Sequence, residues 1–332
     1  MIQVVVTDYT FADLAVEART LQPLGCALVA AKRAAPPEEL ARLVADAEHV
    51  LTQFAPLDAA VIGAMRKAKV IVRYGVGVDN VDLGAARAHG IPVCNVPDYC
   101  TDEVADHTLA LILATTRHVV ANCTRVREGG WGLAVPLPAM KALCDLTVGV
   151  VGFGRIGREV VRRLKAFKCR VLVHDPAVPA VDIRDLGCEP AGLDDIFGQS
   201  DVLTLHCPST ARTRRMVRRE TLAQMKRAAV LINVSRGDLV ETAALAEALQ
   251  QGHLAAAGLD VFDPEPVPRD SPLLKMDNVV LSPHVASASE RAVRKLRETA
   301  TDIIARSVRG EPLPNVVNGV AASAGGNRVR SV

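Results

Sequence analysis

The stretch LTVGVVGFGRIG, residues 146–157, decides the fold of this chain. Its first six residues are an apolar run typical of a buried strand, and Gly152, Gly154 and Gly157 follow with G-x-G-x-x-G spacing. Between a strand and a helix, such glycines allow a tight turn, close approach of the backbone to a pyrophosphate, and close helix–strand packing. The helix N-terminus offers unpaired N–H groups to the phosphates, so the stretch predicts a dinucleotide cradle.

An acidic residue stands where such a cradle needs one. A second apolar run, 170–174, ends at Asp175, which lies 18 residues after Gly157, close to the ~20 expected for the group that binds an adenosine ribose. A carboxylate accepts hydrogen bonds from the ribose hydroxyls and repels a 2′-phosphate, which favours NAD over NADP as cofactor. The alternative is an Asp-Pro turn at a strand end. Arg155 is positioned to add a phosphate contact.

Outside this stretch, short apolar runs alternate with helical patterns along almost the whole chain. The pattern predicts an α/β fold with parallel sheets covered on both faces. The predicted strands are 3–7, 27–30, 50–51, 70–74, 92–95, 147–151, 170–174, 202–206, 230–233, 256–261 and 279–281. The predicted helices are 37–46, 57–64, 83–89, 102–117, 156–167, 193–198, 239–251 and 289–309.

Two helix ends carry specific signals. Asp238 and Glu241 predict a capping box before the helix 239–251, and Gly252 follows its end. Gly310 is expected to end the last helix.

We expect two Rossmann-like, doubly wound parallel-sheet domains with a cleft between them. Residues 98–287 are predicted to form the NAD-binding domain. Residues 1–97 and 288–320 are predicted to form a second domain, discontinuous in sequence. The tail 321–332 has no periodicity and is predicted to be disordered.

Composition excludes several classes of protein. The chain has 332 residues, of which 49% are hydrophobic and 23% charged, as in soluble globular proteins. A net charge of +2 gives no electrostatic reason to expect nucleic acid or an anionic membrane as a partner. The arginine-rich stretch 212–219 lacks an aromatic residue and is interpreted as a solvated helix face rather than a nucleic-acid site.

The cysteines and the N-terminus indicate a cytoplasmic, soluble protein without a bound metal. None of the eight cysteines forms a C-x-x-C pair or a zinc-ligand spacing, so buried, reduced thiols are expected. The N-terminus has no basic signal-peptide region, and no apolar run approaches the ~20 residues of a membrane span. Asp102 and Asp106 are interpreted as acids in the first turns of a helix rather than as metal ligands.

Three further side chains stand at predicted strand ends or in the loops that follow. They are Arg236, Glu265 and His284. Ligands of open α/β sheets bind outside the carboxyl ends of the strands, so these three are expected to converge. Histidine suits proton transfer near neutral pH, a neighbouring carboxylate orients it, and arginine grips a carboxylate with two hydrogen bonds. Each also has an unremarkable interpretation, as a solvated turn or loop residue.

Together these features resemble the D-isomer-specific 2-hydroxyacid dehydrogenase family, from about Val4 to Asn318. The motifs that carry the resemblance occur in order along the chain. They are RYGVGVDNVD at 73–82, VCNVP at 93–97, the cradle 152–157 with Asp175, HCP at 206–208, NVSRG at 233–237, LDVF at 259–262, Glu265, and SPH at 282–284.

The resemblance implies an NAD-dependent oxidoreductase that interconverts a D-2-hydroxy acid and its 2-oxo acid, built as a homodimer largely through the cofactor domain. It implies Arg236 as substrate anchor, His284 as acid/base and Glu265 as its partner. It also implies that Arg73 and the N–H groups of Val76 and Gly77 bind substrate. The implied cofactor contacts, besides the cradle glycines, are Thr108, Arg155, Ile156, Asp175, Cys207, Thr213, Val234, Ser235 and Asp260.

Within the family, the pattern is similar both to 3-phosphoglycerate dehydrogenases and to the C-terminal-binding-protein corepressors. Gln53 stands where the former place an arginine for the phosphate, and Ser287 where the latter have a tryptophan. Formate dehydrogenases carry Gln in place of Glu265. The second hypothesis is therefore an NAD-binding, redox-sensing scaffold with little turnover. For Asp260, the alternative to a nicotinamide contact is a structural aspartate in a turn.

Overall fold

The computed structural model describes residues 1–33 and 35–321; of the predicted tail, 322–332 lie outside the described residues. The chain divides into two units. One consists of Met1–Tyr99 and the segment that begins at Ser289, and we call it the discontinuous unit. The other, Cys100–Ala288, is called the central unit.

The discontinuous unit is built on a five-stranded parallel sheet. Its strand order is β2-β1-β3-β4-β5. The strands are β1 Ile2–Val6, β2 Cys26–Ala30, β3 His49–Thr52, β4 Val70–Arg73 and β5 Val93–Cys94. The helices are α1 Ala15–Leu21, α2 Pro37–Val44, α3 Ala59–Gly63, α4 Leu83–Ala88 and α12 Glu290–Arg309. Every residue of β3 and β4 is buried, as expected for parallel strands covered on both faces.

The central unit is built on a seven-stranded sheet of order β12-β11-β10-β9-β6-β7-β8, with every neighbouring pair parallel. The strands are β6 Thr147–Val151, β7 Arg170–His174, β8 Glu189–Pro190, β9 Val202–Leu205, β10 Ala229–Asn233, β11 Leu254–Leu259 and β12 Val279–Leu281. The helices are α5 Thr101–Thr116, α6 Val119–Arg127, α7 Arg155–Ala166, α8 Ala180–Asp185, α9 Leu193–Gln199, α10 Arg219–Gln224 and α11 Thr242–Gln250. The two parallel sheets confirm the predicted fold class.

Strand order in the central unit reverses between β6 and β9. At such a switch point, the loops that follow the two strands run in opposite directions and leave a crevice at the carboxyl edge of the sheet. The glycine-rich turn follows β6, and His206 follows β9, so both lie at this edge. The loops after β10, β11 and β12 emerge from the same edge.

One predicted helix start is wrong. No capping box forms at Asp238 and Glu241; a short 3-10 turn occupies Gly237–Leu239, and α11 begins at Thr242. The reason is that the Asp238 carboxylate accepts a hydrogen bond from Ser209 Oγ (2.6 Å), far away in sequence. Gly252 and Gly310 do follow their helices, both with positive φ (66° and 72°), as predicted.

The stretch 212–219 is not a helix face. Residues 211–215 form a turn, and α10 begins only at Arg219. Arg218 and Arg219 pair with acids, Glu220 and Glu247 respectively.

All eight cysteines, each within the described residues, are free thiols, but Cys123 and Cys144 are exposed rather than buried. Among the described residues, no helix has the length and apolar character needed to cross a membrane.

Candidate active site

The turn between β6 and α7 is closed tightly against the segment that follows β9. Gly152 has φ +97°, and a Cβ on it would lie 2.5 Å from the carbonyl carbon of His206. A Cβ on Gly157 would overlap the carbonyl oxygen of Gly152. A side chain at either glycine would therefore separate the turn from β9 or lift α7 off the turn.

Gly154, in contrast, faces open space. A Cβ built on it meets no atom within 4 Å. Gly154 is the N-cap of α7, and no side chain caps that helix end. The first N–H groups of α7 thus have no side-chain cap and lie beside open space, and this fits a pyrophosphate bound at a helix N-terminus.

Asp175 is joined directly to this turn. Its Oδ2 accepts a hydrogen bond from the N–H of Phe153 (2.7 Å), and its Oδ1 accepts one from the N–H of Ala177 (2.9 Å). The Asp-Pro turn at the end of β7 therefore forms and also places a carboxylate beside the cradle. The two interpretations of Asp175 are compatible.

Other residues implied as cofactor contacts have structural partners. The Thr108 hydroxyl donates to the carbonyl of Val104 within α5 (2.7 Å), and Thr213 Oγ1 donates to the carbonyl of Pro208 (2.7 Å). Burial raises the pKa of the Cys207 thiol to about 11, so Cys207 is a neutral thiol at physiological pH. Val234 is buried and Ser235 half-buried directly after β10, while Arg155 and Ile156 form the first turn of α7.

His284 and Glu265 are in direct contact. The Nδ1 atom of His284 lies 2.8 Å from Glu265 Oε2. The other oxygen of Glu265 accepts a hydrogen bond from the N–H of Phe262 (2.9 Å), which fixes the carboxylate orientation. His284 has φ +54°, and its N–H donates to the carbonyl of Asp260 (2.7 Å). A histidine in the left-handed region is uncommon, and strain of this kind is found where a side chain must be aimed.

The pKa of Glu265 lies below its ordinary value. Burial raises it, but the hydrogen bonds from His284 and from the N–H of Phe262, together with the charges of His284 and Arg236, outweigh this effect. Glu265 is therefore ionised, and its carboxylate holds the imidazole ring of His284 in one orientation.

Arg236 is brought to the same edge by close contact between two loops. A Cβ on Gly237 would overlap the backbone of Phe262, so the loop after β10 lies directly on the loop after β11. Asn233 Nδ2 donates to the carbonyl of Arg236 (2.8 Å), and Arg236 Nη1 donates to the carbonyl of Ser235 (2.7 Å). The structure thus gathers Arg236, Glu265 and His284 at the ends of three adjacent strands.

Asp260 supports the turn that carries His284. It is fully buried, and its carboxylate accepts hydrogen bonds from Ser282 Oγ (2.6 Å) and from the N–H groups of Val285 (3.0 Å) and Ala286 (2.9 Å). These contacts give Asp260 a structural role beside the one that the family resemblance implies. His107 on α5 extends the network, with Nε2 lying 2.9 Å from Ser282 Oγ.

Sequence reasoning missed the roles of His107, Ser282 and Asn233. Ser282 and Asn233 belong to quoted motifs, SPH and NVSRG, so a signal was present for both. His107 stands on a helix 177 positions before His284 in sequence, and nothing in the pattern links the two.

In the discontinuous unit, the loop after β4 carries Val76 and Gly77. The carbonyl of Val76 accepts a hydrogen bond from Asn95 Nδ2 (2.6 Å), and the carbonyl of Gly75 accepts one from the N–H of Val96 (3.0 Å). Within the described part of the chain, the N–H groups of Val76 and Gly77 have no acceptor. Two adjacent N–H groups left open in a fixed loop are suited to an anion. Arg73, 9% exposed, ends β4 immediately before this loop.

Asp102 and Asp106 both pair with one arginine. Arg163 on α7 contacts Asp106 (2.7 Å) and Asp102 (3.0 Å) of α5. No cluster of three or more potential metal ligands occurs among the residues the structure describes.

Comparison with known proteins agrees with this geometry. Residues 109–286 match the model of the D-isomer specific 2-hydroxyacid dehydrogenase, NAD binding domain. A glyoxylate reductase of Korarchaeum cryptofilum is 43% identical over 266 residues, covering 79% of this chain and 80% of that protein. A D-3-phosphoglycerate dehydrogenase of Archaeoglobus fulgidus is 38% identical over 282 residues, and the match covers 85% of this chain but only 53% of that protein.

Among solved structures, D-lactate dehydrogenase of Aquifex aeolicus, complexed with NAD and lactic acid, superposes with a TM-score of 0.84 at 29% identity. The match covers 93% of this chain and 96% of that one. The chain belongs to the D-isomer-specific 2-hydroxyacid dehydrogenase family. It is an NAD-dependent 2-hydroxyacid dehydrogenase, and NAD(H) is its cofactor.

Proposed function

We propose that the enzyme reduces a small, unphosphorylated 2-oxo acid to the D-2-hydroxy acid with NADH, and that glyoxylate is the first substrate to test. The 2.8 Å contact between His284 and Glu265 carries this proposal, because a histidine oriented by a carboxylate is suited to act as the acid/base of the reaction. NADH supplies the hydride when it is bound at the cradle formed by Gly152, Gly154 and the N-terminus of α7.

His284 moves the proton. Its Nδ1 faces Glu265, so the proton passes to the carbonyl oxygen of the substrate from Nε2, the opposite ring nitrogen. Glu265 keeps the imidazole ring oriented while this proton is transferred. In the oxidative direction, the same nitrogen takes the proton from the hydroxyl group.

The substrate carboxylate is bound by two kinds of donor. The Arg236 guanidinium supplies a planar pair of N–H groups and a permanent charge. The N–H groups of Val76 and Gly77, which lack acceptors among the described residues, supply two neutral donors. Both kinds recognise the carboxylate that all 2-oxo acids share and leave the remainder of the substrate unspecified.

The loop after β3 favours a substrate without a phosphate. Gln53 stands at the position where an arginine is expected in 3-phosphoglycerate dehydrogenases, and its amide oxygen accepts hydrogen bonds from the N–H (2.8 Å) and hydroxyl (3.2 Å) of Thr10. The buried Asp8 carboxylate accepts from the N–H groups of Gln53 (3.0 Å) and Phe54 (2.7 Å). The loop is thus fixed with a neutral amide at this position. The Korarchaeum relative, named a glyoxylate reductase, supports the same choice.

The experiment is a spectrophotometric assay of NADH oxidation at 340 nm. The purified protein is mixed with glyoxylate, hydroxypyruvate, pyruvate, 2-oxobutyrate, phenylpyruvate and 3-phosphohydroxypyruvate. We expect the highest kcat/KM with a small unphosphorylated acid. A best substrate that carries phosphate contradicts the substrate class. Tight NADH binding without turnover of any acid contradicts the proposal and favours the scaffold hypothesis.

The variant for this assay is His284→Asn. Asparagine tolerates the left-handed backbone of His284 (φ +54°) but cannot exchange a proton, so kcat is expected to fall by about 10²–10⁴-fold with NADH binding retained. His118→Asn is the matched control, since His118 also has positive φ (48°) and lies in the same unit. Equal kcat values for the two variants contradict the assignment of His284.

We also propose a homodimer formed through the central unit. The residues 119–137 carry exposed apolar side chains, notably Val120 (49% exposed), Trp131 (87%) and Leu137 (71%). Hydrogen bonds from Ala134 to Asn122 (2.9 Å) and from Arg125 to Trp131 (3.2 Å) fold the second half of this segment back onto α6. These exposed apolar side chains on α6 and on the folded-back half are ones that a second copy of the chain is suited to cover.

A further inference from the structure

A buried charged cluster lies behind the loop that carries Val76 and Gly77. Tyr74, which precedes this loop, is 1% exposed, and its hydroxyl donates a hydrogen bond to Glu17 Oε1 (3.1 Å). Arg297 on α12 donates to both oxygens of Glu17, from Nε (3.0 Å) and from Nη2 (2.7 Å). We call these three residues the Tyr74 clamp.

The Tyr74 clamp contains more contacts than a purely structural role requires. Glu17 is fully buried, and the Arg297 side chain is 11% exposed, so both charges have been removed from water. Arg297 also donates to the carbonyl of Asp13 (2.8 Å) and lies over the Phe11 ring (4.9 Å), and that ring meets Tyr74 edge-on at 5.2 Å. A buried ion pair is weak evidence for stability, and fixing one conformation is among the roles retained for such pairs.

The conformation fixed here is that of the Val76–Gly77 loop. The N–H of Tyr74 donates to the carbonyl of Thr52 (2.8 Å), while Val96 and Asn95 hold the carbonyls of Gly75 and Val76. These contacts hold the backbone, and the phenol of Tyr74 links the loop to helices α1 and α12 through Glu17 and Arg297. Burial, followed by the neighbouring Glu17 carboxylate, raises the pKa of Tyr74 well above its usual range, so its proton remains available for the hydrogen bond.

We propose that the Tyr74 clamp is a positioning device that aims the N–H groups of Val76 and Gly77 at the carboxylate of the 2-oxo acid. The clamp residues act through the loop and are not themselves expected to touch the substrate. This inference rests on the proposed function, in which those two N–H groups bind the carboxylate.

The test is Tyr74→Phe, which removes one hydroxyl and leaves the Glu17–Arg297 pair intact. A loosened loop weakens carboxylate binding equally before and during the reaction, so KM for glyoxylate is expected to rise about five- to tenfold with kcat nearly unchanged. The affinity for NADH, measured by fluorescence titration, is expected to stay that of the wild type. A merely structural loss would lower the active fraction and hence kcat, without a selective change in KM.

Tyr9→Phe is the matched control. Tyr9 belongs to the same aromatic row, 6.4 Å from Phe11, and no hydrogen bond of its hydroxyl occurs within the described residues. Its KM is expected to equal that of the wild type. A Tyr74→Phe enzyme with the KM of Tyr9→Phe, or with a loss confined to kcat, overturns the proposal.

Arg297→Lys is the second variant, for the case that Tyr74→Phe folds poorly. Lysine keeps the charge beside Glu17 but not the two-pronged contact, so a smaller rise in KM is expected. Hydrogen exchange at the N–H of Val96, which donates to Gly75, provides a readout without activity: it is expected to be faster in Tyr74→Phe than in Tyr9→Phe. Equal exchange rates contradict the clamp. A wild-type chain that turns over no 2-oxo acid contradicts the proposed function instead.

Discussion

Individual residues next to the three polar side chains decide the geometry of the site. Gly237 illustrates this, because its missing side chain lets the Arg236 loop lie on the backbone of Phe262. The N–H of Phe262 in turn holds Glu265, which holds His284. Arg236 and Glu265 thus depend on neighbours, Gly237 and the N–H of Phe262, that take no part in the chemistry, and His284 depends on Glu265.

Gly237→Ala is expected to damage both stability and activity. The added methyl overlaps the backbone of Phe262, and relieving that overlap costs about 1–3 kcal/mol and moves Arg236 away from Glu265. Thermal unfolding and steady-state kinetics measure the two effects, with a lower Tm and a lower kcat/KM expected. Gly198→Ala is the control, because a Cβ there meets no atom within 4 Å. Equal behaviour of the two variants contradicts the packing argument.

Asp175→Asn tests cofactor choice. The amide oxygen can still accept a hydrogen bond from Phe153, but the charge that repels a 2′-phosphate is gone. We expect the preference for NADH over NADPH, expressed as a ratio of kcat/KM values, to fall by about tenfold. Asp185→Asn, an exposed change at the end of α8, serves as the control. An unchanged ratio in Asp175→Asn assigns the preference to other residues.

At the scale of elements, strands were more predictable than helix ends. The β6–α7–β7 stretch follows from its apolar runs and glycine spacing, which are local signals. The helix predicted at 239–251 begins later in the structure, at Thr242. The Asp238 carboxylate does not cap it, because this carboxylate accepts a hydrogen bond from Ser209, which is distant in sequence. Arg236, Glu265 and His284 were found from residue type and position after strands. Their contacts depend on how loops pack, and no local pattern encodes that.

The start of β3 predicts a pH dependence of stability. Burial, with a smaller contribution from Lys69, lowers the pKa of His49 to about 4, and Glu48 offsets this only in part. The unfolded chain takes up a proton below pH ~6.5, while the folded chain does not until near pH 4. Unfolding is therefore favoured as pH falls through this window, by up to about 1.4 kcal/mol per pH unit.

Urea unfolding between pH 7 and pH 5.5 measures this effect. His49→Gln removes the titrating ring at the contact with Ser307 on α12 (3.1 Å), so its unfolding free energy is expected to fall less steeply with acid than that of the wild type. His253→Gln is the control, since His253 is half-buried and its ring contacts the carbonyl of Leu222. A wild-type slope in His49→Gln contradicts the assignment.

For the molecule as a whole, the oligomeric state can be tested directly. Val120→Glu places a charge among the exposed apolar side chains of residues 119–137, and a charge that loses its water on association disfavours the dimer. We expect sedimentation velocity to show a dimer for the wild type and a monomer for this variant. Val181→Glu, on α8 and similarly exposed (57%), should remain dimeric. A monomeric wild type contradicts the homodimer.

The division of the discontinuous unit has a consequence for the order of events during synthesis. Glu17 leaves the ribosome early, but its partner Arg297 is made 280 residues later. At about 5–20 residues per second, the interval is about 14–56 s. Throughout that interval, the Glu17 carboxylate of the nascent N-terminal segment lacks its partner Arg297, although Glu17 is fully buried in the folded unit. The central unit, which is continuous in sequence, is expected to fold first. Once α12 has been translated, Arg297 becomes available, and the N-terminal segment then folds around the Glu17–Arg297 pair.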